Sequence, residues 1–122
     1  MIIGIGVDII KISRIGGMLD DKNSHFRRLF TEKEQELGMK SQRELIFYAE
    51  RFACKEAVFK CFGISMDTAF LKEIETLNDE NGKPYVNLYG RMEQLAKDMG
   101  IRKMDISISY DGEYAVAYAA AS

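Results

Sequence analysis

Three observations predict a domain that mixes helices with antiparallel strands. Two hairpin signals, Asn81-Gly82 and Asp111-Gly112, each stand between short runs suited to strands. A long helical pattern extends from about Ser41 to Phe62. The apolar opening, residues 2–10, reads as a buried strand interrupted by Gly4, Gly6 and one carboxylate, Asp8.

In chain order, Gly4 and Gly6 imply that another backbone or a ligand comes close to the first strand. A short helix is expected from Ser13 to about Leu19, followed by a polar connection over residues 20–25. Phe26, Leu29 and Phe30 pack a turn, and Thr31-Glu32-Lys33-Glu34 spells a capping box with Thr31 as N-cap. That helix should end near Gly38, and the long helix should close at Gly63, which is suited to a left-handed cap. After a loop at residues 65–68, strands are expected at 71–78 and 84–89 around the Asn81-Gly82 reversal, with Pro84 opening the return. Met92, Leu95, Ala96 and Met99 give an amphipathic helix over 90–99 that stops at Gly100. In the last hairpin Met104, Ile106 and Ile108 alternate with polar residues, and Asp111-Gly112 is read as a two-residue turn. In its second strand Tyr114, Val116 and Tyr118 alternate with alanines, so both faces are apolar and both need cover, from this chain or from a second copy.

With 122 residues, 47% of them hydrophobic, and one proline, the chain suits a single soluble domain over residues 1–122. The opening apolar run is short, lacks a basic leader and meets Asp8 and Lys11, which argues against a signal peptide or membrane span and for a cytoplasmic protein. A net charge of −2 gives no global attraction to nucleic acid or anionic membrane, and neither is expected as a partner. Local cations, Lys11, Arg14, Arg27 and Arg28 and then Arg43, Arg51, Lys55 and Lys60, could still dock an acidic partner. Cys54 and Cys61 lie about 10 Å apart along one helix, too far for a disulfide, and are expected to be reduced.

The chemistry concentrates in Arg51-Phe52-Ala53-Cys54-Lys55-Glu56-Ala57-Val58-Phe59-Lys60. Arg51 with Lys55, and Glu56 with Lys60, are four apart and share helix faces, while Phe52, Ala53, Ala57 and Val58 supply packing. Asp8 in an apolar strand should be protonated, paired with a cation or bound to a metal. Two hard carboxylates without a His or Cys cluster suit Mg²⁺, which keeps waters and borrows phosphate oxygens from its substrate. The other reading makes Asp8 a cap or salt-bridge member and Glu56 a partner of Lys60. Arg51, Lys55 and Lys60 could bind phosphates of a nucleotide-like ligand, or form a solvated face. His25 lies in a polar loop and is read as a surface residue.

On these residues the sequence resembles the holo-acyl-carrier-protein synthase family, the small bacterial type of 4′-phosphopantetheinyl transferase. The resemblance rests on Gly4-Ile5-Gly6-Val7-Asp8 with Arg14, and on the decapeptide 51–60, which fits an aromatic-x-x-Lys-Glu-Ala-x-x-Lys pattern. Phe30-Thr31-x-x-Glu34, Asn81-Gly82-Lys83-Pro84 and Ser107-Ile108-Ser109 support it in the same order. Tyr110 departs from it, standing where members usually carry a histidine that contacts coenzyme A. The resemblance implies an α+β fold, with a long central helix against antiparallel strands, and homotrimers with active sites at subunit interfaces. It implies Mg²⁺-dependent transfer of 4′-phosphopantetheine from coenzyme A to a serine of apo acyl carrier protein, a step of fatty acid and lipid biosynthesis that releases adenosine 3′,5′-bisphosphate. Asp8 and Glu56 would hold Mg²⁺, and Glu56 and Lys60 would be catalytic. Arg51, Lys55, Lys60, Pro84 and Tyr110 would contact coenzyme A. Arg14, with Lys11, Arg27 and Arg28, would meet the carrier's acidic helix. The proton acceptor would be Glu56 or a water on the metal. Two alternatives stay open: a non-catalytic module that binds acyl carrier protein, and another Mg²⁺-dependent nucleotide phosphotransferase.

Overall fold

The computed structural model describes residues 1–20, 25–64 and 67–122, so the connection at 21–24 and the loop residues 65–66 fall outside the described residues. Strand β1 (Gly4–Lys11) passes directly into helix α1 (Ile12–Asp20), and a 3₁₀ turn (Phe26–Leu29) leads to α2 (Glu32–Lys40) and the long α3 (Glu44–Lys60). A second 3₁₀ turn (Thr68–Glu73) precedes β2 (Ile74–Asn78) and β3 (Pro84–Leu88). Helix α4 (Gly90–Asp98) and the hairpin β4 (Met104–Asp111) and β5 (Tyr114–Ala121) complete the α+β chain.

Two antiparallel sheets form, one in the order β1-β5-β4 and one of β2 and β3. Helix α3 lies across the inner face of the larger sheet, where Ala115, Ala117, Ala119 and Ala121 of β5 are all buried. Small side chains on β5 and glycines on β1 let the helix come down to backbone contact. A β-carbon on Gly4 would sit 2.0 Å from the Cys61 carbonyl oxygen, and one on Gly6 would sit 1.9 Å from that of Ala57. The close approach expected of these glycines is therefore to a backbone. The core continues through Ile15, Phe30, Tyr48, Val58, Phe59, Leu71 and Ile74.

The capping box is present: the Glu34 amide donates to Thr31 Oγ1, and the Thr31 amide donates to Glu34 Oε1. Three local expectations are corrected. Helix α2 continues past Gly38 to Lys40; Gly38 serves instead to admit the Tyr48 ring, which lies 2.8 Å from where its β-carbon would be. Residues 71–73 are not strand, because Asp67 accepts from the Ala69 amide and starts the 3₁₀ turn that runs to Glu73. The last hairpin turns on Gly112-Glu113, not Asp111-Gly112: Asp111 pairs with Tyr114, and Gly112 takes φ +59.

Among the described residues nothing covers the outer face of the larger sheet. Ile3, just before β1, Ile5, Val7 and Ile9 of β1, and Tyr114 and Tyr118 of β5 are between 41% and 65% exposed there. None of the helices is long and apolar enough to cross a membrane, among the described residues.

Candidate active site

The close packing of α3 on β1 sets Asp8 against the last turns of the helix. Asp8 and Gly6 point to the same side of β1, and Gly6 already touches Ala57, so Asp8 meets residues 56 and 60. Lys60 Nζ lies 3.4 Å from Asp8 Oδ1 and donates to the Val7 carbonyl at 2.9 Å. The other Asp8 oxygen, Oδ2, is buried without a hydrogen-bond partner. The Glu56 carboxyl is pushed up to about 7, first by burial, then by a hydrogen bond with Asp8 and by that residue's charge. Lys60 and Arg14 oppose the shift. Two carboxyls from sequence positions 48 apart thus act on each other beside one ammonium, and their like charge favours the protonated form of Glu56.

This is a pair, not a closed metal cage. Among the described residues no group of three or more His, Cys, Asp or Glu side chains gathers as a metal site. An orphaned, buried carboxylate oxygen beside a second carboxyl is nonetheless a donor set short of a cation, and it suits an ion that takes its remaining oxygens from water and substrate.

Arg51 and Pro84 meet farther along α3. They line a cavity of about 270 Å³ with Phe47, Glu50, Asn78 and Gly82. Arg51 is buried, its guanidinium carbon is 4.7 Å from the centre of the Phe47 ring, and its Nε has no partner. Burial lowers its guanidinium from the ordinary value, opposed by Cys54, Glu34 and Glu50. Burial also raises the Glu50 carboxyl, against the pull of Arg51 and Arg43. Tyr110 borders an adjoining cavity of about 290 Å³ that shares Phe47 and Glu50 with the first. There the Arg43 guanidinium donates to the Tyr110 hydroxyl and stacks 5.9 Å from its ring. Sequence reasoning gave no site role to Arg43, Glu50 or Asn78; only Arg43, as one of the basic cluster, carried any signal.

Lys55 is the clear departure. It was expected beside Arg51 at the phosphates, but its side chain is fully buried. Its ammonium lies 2.7 Å from Glu34 Oε1 and also donates to the carbonyls of Leu71, at 3.0 Å, and Ile74. Glu34 in turn accepts from the Thr76 amide through Oε2. An ammonium with these partners joins α3 to α2 and β2 and has no donor left for a ligand. The four cations expected at an acidic partner, Lys11, Arg14, Arg27 and Arg28, are all exposed on β1, α1 and the adjoining 3₁₀ turn. Arg27 is partly engaged, 3.6 Å from Glu44 and over the Tyr48 ring. Cys54 and Cys61 are free and buried, and burial pushes the Cys54 thiol up to about 11. His25 is exposed.

The sequence matches the model of the 4′-phosphopantetheinyl transferase superfamily over residues 4–119. The chain belongs to this superfamily. Its relatives in the superfamily include the holo-[acyl-carrier-protein] synthases of Geobacter metallireducens, 41% identical over 96% of this chain and 94% of that protein, and of Alkaliphilus oremlandii, 42% identical over 99% of both. Among solved structures of the superfamily, the holo-[acyl-carrier-protein] synthase of Neisseria meningitidis superposes with a TM-score of 0.91 at 27% identity, covering 100% of this chain and 99% of that one. A synthase in complex with coenzyme A from Chronobacterium ammoniagenes superposes at 0.86 with 27% identity, covering 97% and 95%.

Proposed function

We propose that this superfamily member transfers the 4′-phosphopantetheine group of coenzyme A to a serine of apo acyl carrier protein, with Mg²⁺ as cofactor. The observation that carries the reading is the convergence of Asp8, Glu56 and Lys60, with one Asp8 oxygen unpartnered. The names of the relatives, and coenzyme A in one similar structure, support it.

The serine oxygen forms a bond to the phosphorus that carries pantetheine, and the bond from that phosphorus to the bridging diphosphate oxygen breaks. Adenosine 3′,5′-bisphosphate leaves with the bridging oxygen, and the serine proton passes to Glu56 or to a water beside it. Asp8 and Glu56 would hold Mg²⁺, which supplies positive charge to the diphosphate oxygens. Lys60, half exposed and free to leave Val7, would steady the departing phosphate. Arg51, which lines a cavity bordered by Pro84, would take a coenzyme A phosphate, and Tyr110 would wall the adjoining cavity. Lys55 has no part in this scheme beyond holding α3. Arg14, Lys11, Arg27 and Arg28 would orient the acidic carrier protein.

The reading extends to a homotrimer of single-domain chains, whose contact would cover the apolar outer face of the sheet. Two reduced cysteines accord with the cytoplasm. The deciding experiment incubates the protein with coenzyme A, Mg²⁺ and apo acyl carrier protein, and weighs the carrier by mass spectrometry. A phosphopantetheinyl adduct is expected. A stable complex without adduct would make the chain a binding module, and nucleotide turnover without adduct would make it a different phosphotransferase.

A further inference from the structure

Away from the candidate active site, the seam between the two sheets holds a second cavity. Strand β3 runs close to β4, yet no ladder joins them. Tyr89 N donates to Glu73 O and Asp79 N to Lys83 O, so the hydrogen-bonded positions of β3 are the odd-numbered ones. Val86 and Leu88 therefore turn their peptide groups away from β2. A cavity of about 510 Å³ lies here, walled by β3, α4 and residues 101–104. It is larger than the cavities beside Arg51 and Tyr110, about 270 and 290 Å³, and shares no residue with either.

Its lining is divided by chemistry. Val86, Leu88, Ala96, Ile101 and Met104 make an apolar floor. Lys97, Arg102 and Lys103 stand around it against the lone carboxylate of Glu93. Lys103 lies 3.6 Å from Asp105, both well exposed, which makes a weak pair. Among the described residues neither Lys97 nor Arg102 has a carboxylate within ion-pair reach.

The cations are held on a fixed backbone. Gly100, at φ +76, ends α4, and the Ile101 amide donates to Ala96 O at 2.8 Å. The Arg102 and Lys103 amides both donate to Ser122 O, at 2.8 and 2.9 Å, and the Ser122 amide returns a bond to Lys103 O. The backbone that carries Arg102 and Lys103 is therefore already in place when a ligand arrives, which removes part of the ordering cost of binding.

We infer that this cavity binds an amphiphilic organic anion, its charged head at Lys97, Arg102 and Lys103 and its apolar body over Val86, Leu88 and Ile101. An inorganic anion would leave the floor wet, and a neutral apolar molecule would leave Lys97 and Arg102 without an ion-pair partner. The volume lies within the range of small-molecule sites, roughly 300–1,000 Å³. The inference stands apart from the proposed transfer reaction and draws on none of its residues.

The test titrates the full chain, labelled with ¹⁵N, with octanoate and separately with octanamide, its uncharged amide of equal length. Octanoate is expected to give saturable amide shifts confined to residues 86–89 and 96–104, with a far smaller response to octanamide. The exposed pair Lys97→Gln and Arg102→Gln should keep the spectrum of the folded protein and weaken octanoate binding by about tenfold or more. The inference is overturned by no saturable shift, by shifts centred on the outer sheet face or on Asp8 and Arg51, by an equal response to octanamide, or by unchanged affinity in the folded double variant.

Discussion

Gly6 meets Ala57 so closely that a β-carbon on the glycine would lie 1.9 Å from the alanine carbonyl oxygen. The atom it would strike belongs to the backbone of the central helix, so no rotamer change can relieve the clash. Because Asp8 follows two residues later on the same face, this one contact sets the distance between Asp8 and the α3 carboxyl. Gly6→Ala should cost about 3 kcal/mol of stability, the upper end of overpacking penalties. Urea unfolding measures the loss. Transfer activity should fall further than the folded fraction, and activity that merely tracks the folded fraction would detach the glycine from the site.

Glu56→Gln and Asp8→Asn should each reduce transfer on the order of 100-fold or more while leaving the far-ultraviolet circular dichroism unchanged. Near-normal activity in either variant would remove the carboxyl pair from the reaction.

Mg²⁺ binding should depend on pH with a definite sign. The Glu56 carboxyl is raised to about 7, so below that pH the ion must displace a proton. Affinity should fall by up to about tenfold for each pH unit below 7 and level off above it. Calorimetry in two buffers of different ionisation enthalpy should show proton release near pH 6.5. A flat profile between pH 6 and 8 contradicts the raised Glu56 carboxyl.

Lys55→Met should destabilise the fold by about 3–5 kcal/mol, because it leaves the buried Glu34 carboxylate without its cation. Adding Glu34→Gln should recover part of this loss in a double-mutant cycle, since it removes the buried charge, although the amide oxygen can accept from only one of the Thr31 and Thr76 amides. A Lys55→Met variant with unaltered stability and a raised KM for coenzyme A would return Lys55 to the phosphates.

Ile9→Asp places a charge on the outer sheet face, where Ile9 is 65% exposed in the single chain. Light scattering should then report a smaller species than for the parent protein. A monomeric parent, or an unchanged mass in the variant, counts against that face as the subunit contact.

What the sequence disclosed was set by how local each signal is. Thr31 and Glu34 are three apart, and their reciprocal capping is visible in the letters alone. Asp8 stood out because a carboxylate in an apolar strand needs a partner wherever the strand lies. Lys55 was misplaced because helical spacing puts it near Arg51 but says nothing of Glu34, 21 residues earlier, which comes to face it only in three dimensions. Glu75, which accepts from Thr31, Asn87 and Tyr89 hydroxyl or amide groups, gave no signal for the same reason. The 3₁₀ turn before β2 was read as part of the strand over 71–78, since the Asp67 bond that starts it leaves no periodicity in the letters.

The contact between Lys60 and the Val7 carbonyl has a consequence for how the molecule keeps itself apart from others. β1 is an edge strand, and Ile12 N bonded to Glu113 O sets a register in which Val7 turns its peptide outward, away from β5. Such an unmet row invites strand addition and aggregation. The ammonium plugs it at mid-strand, so the residue proposed to steady the leaving phosphate would also act as a gatekeeper of solubility whenever substrate is absent.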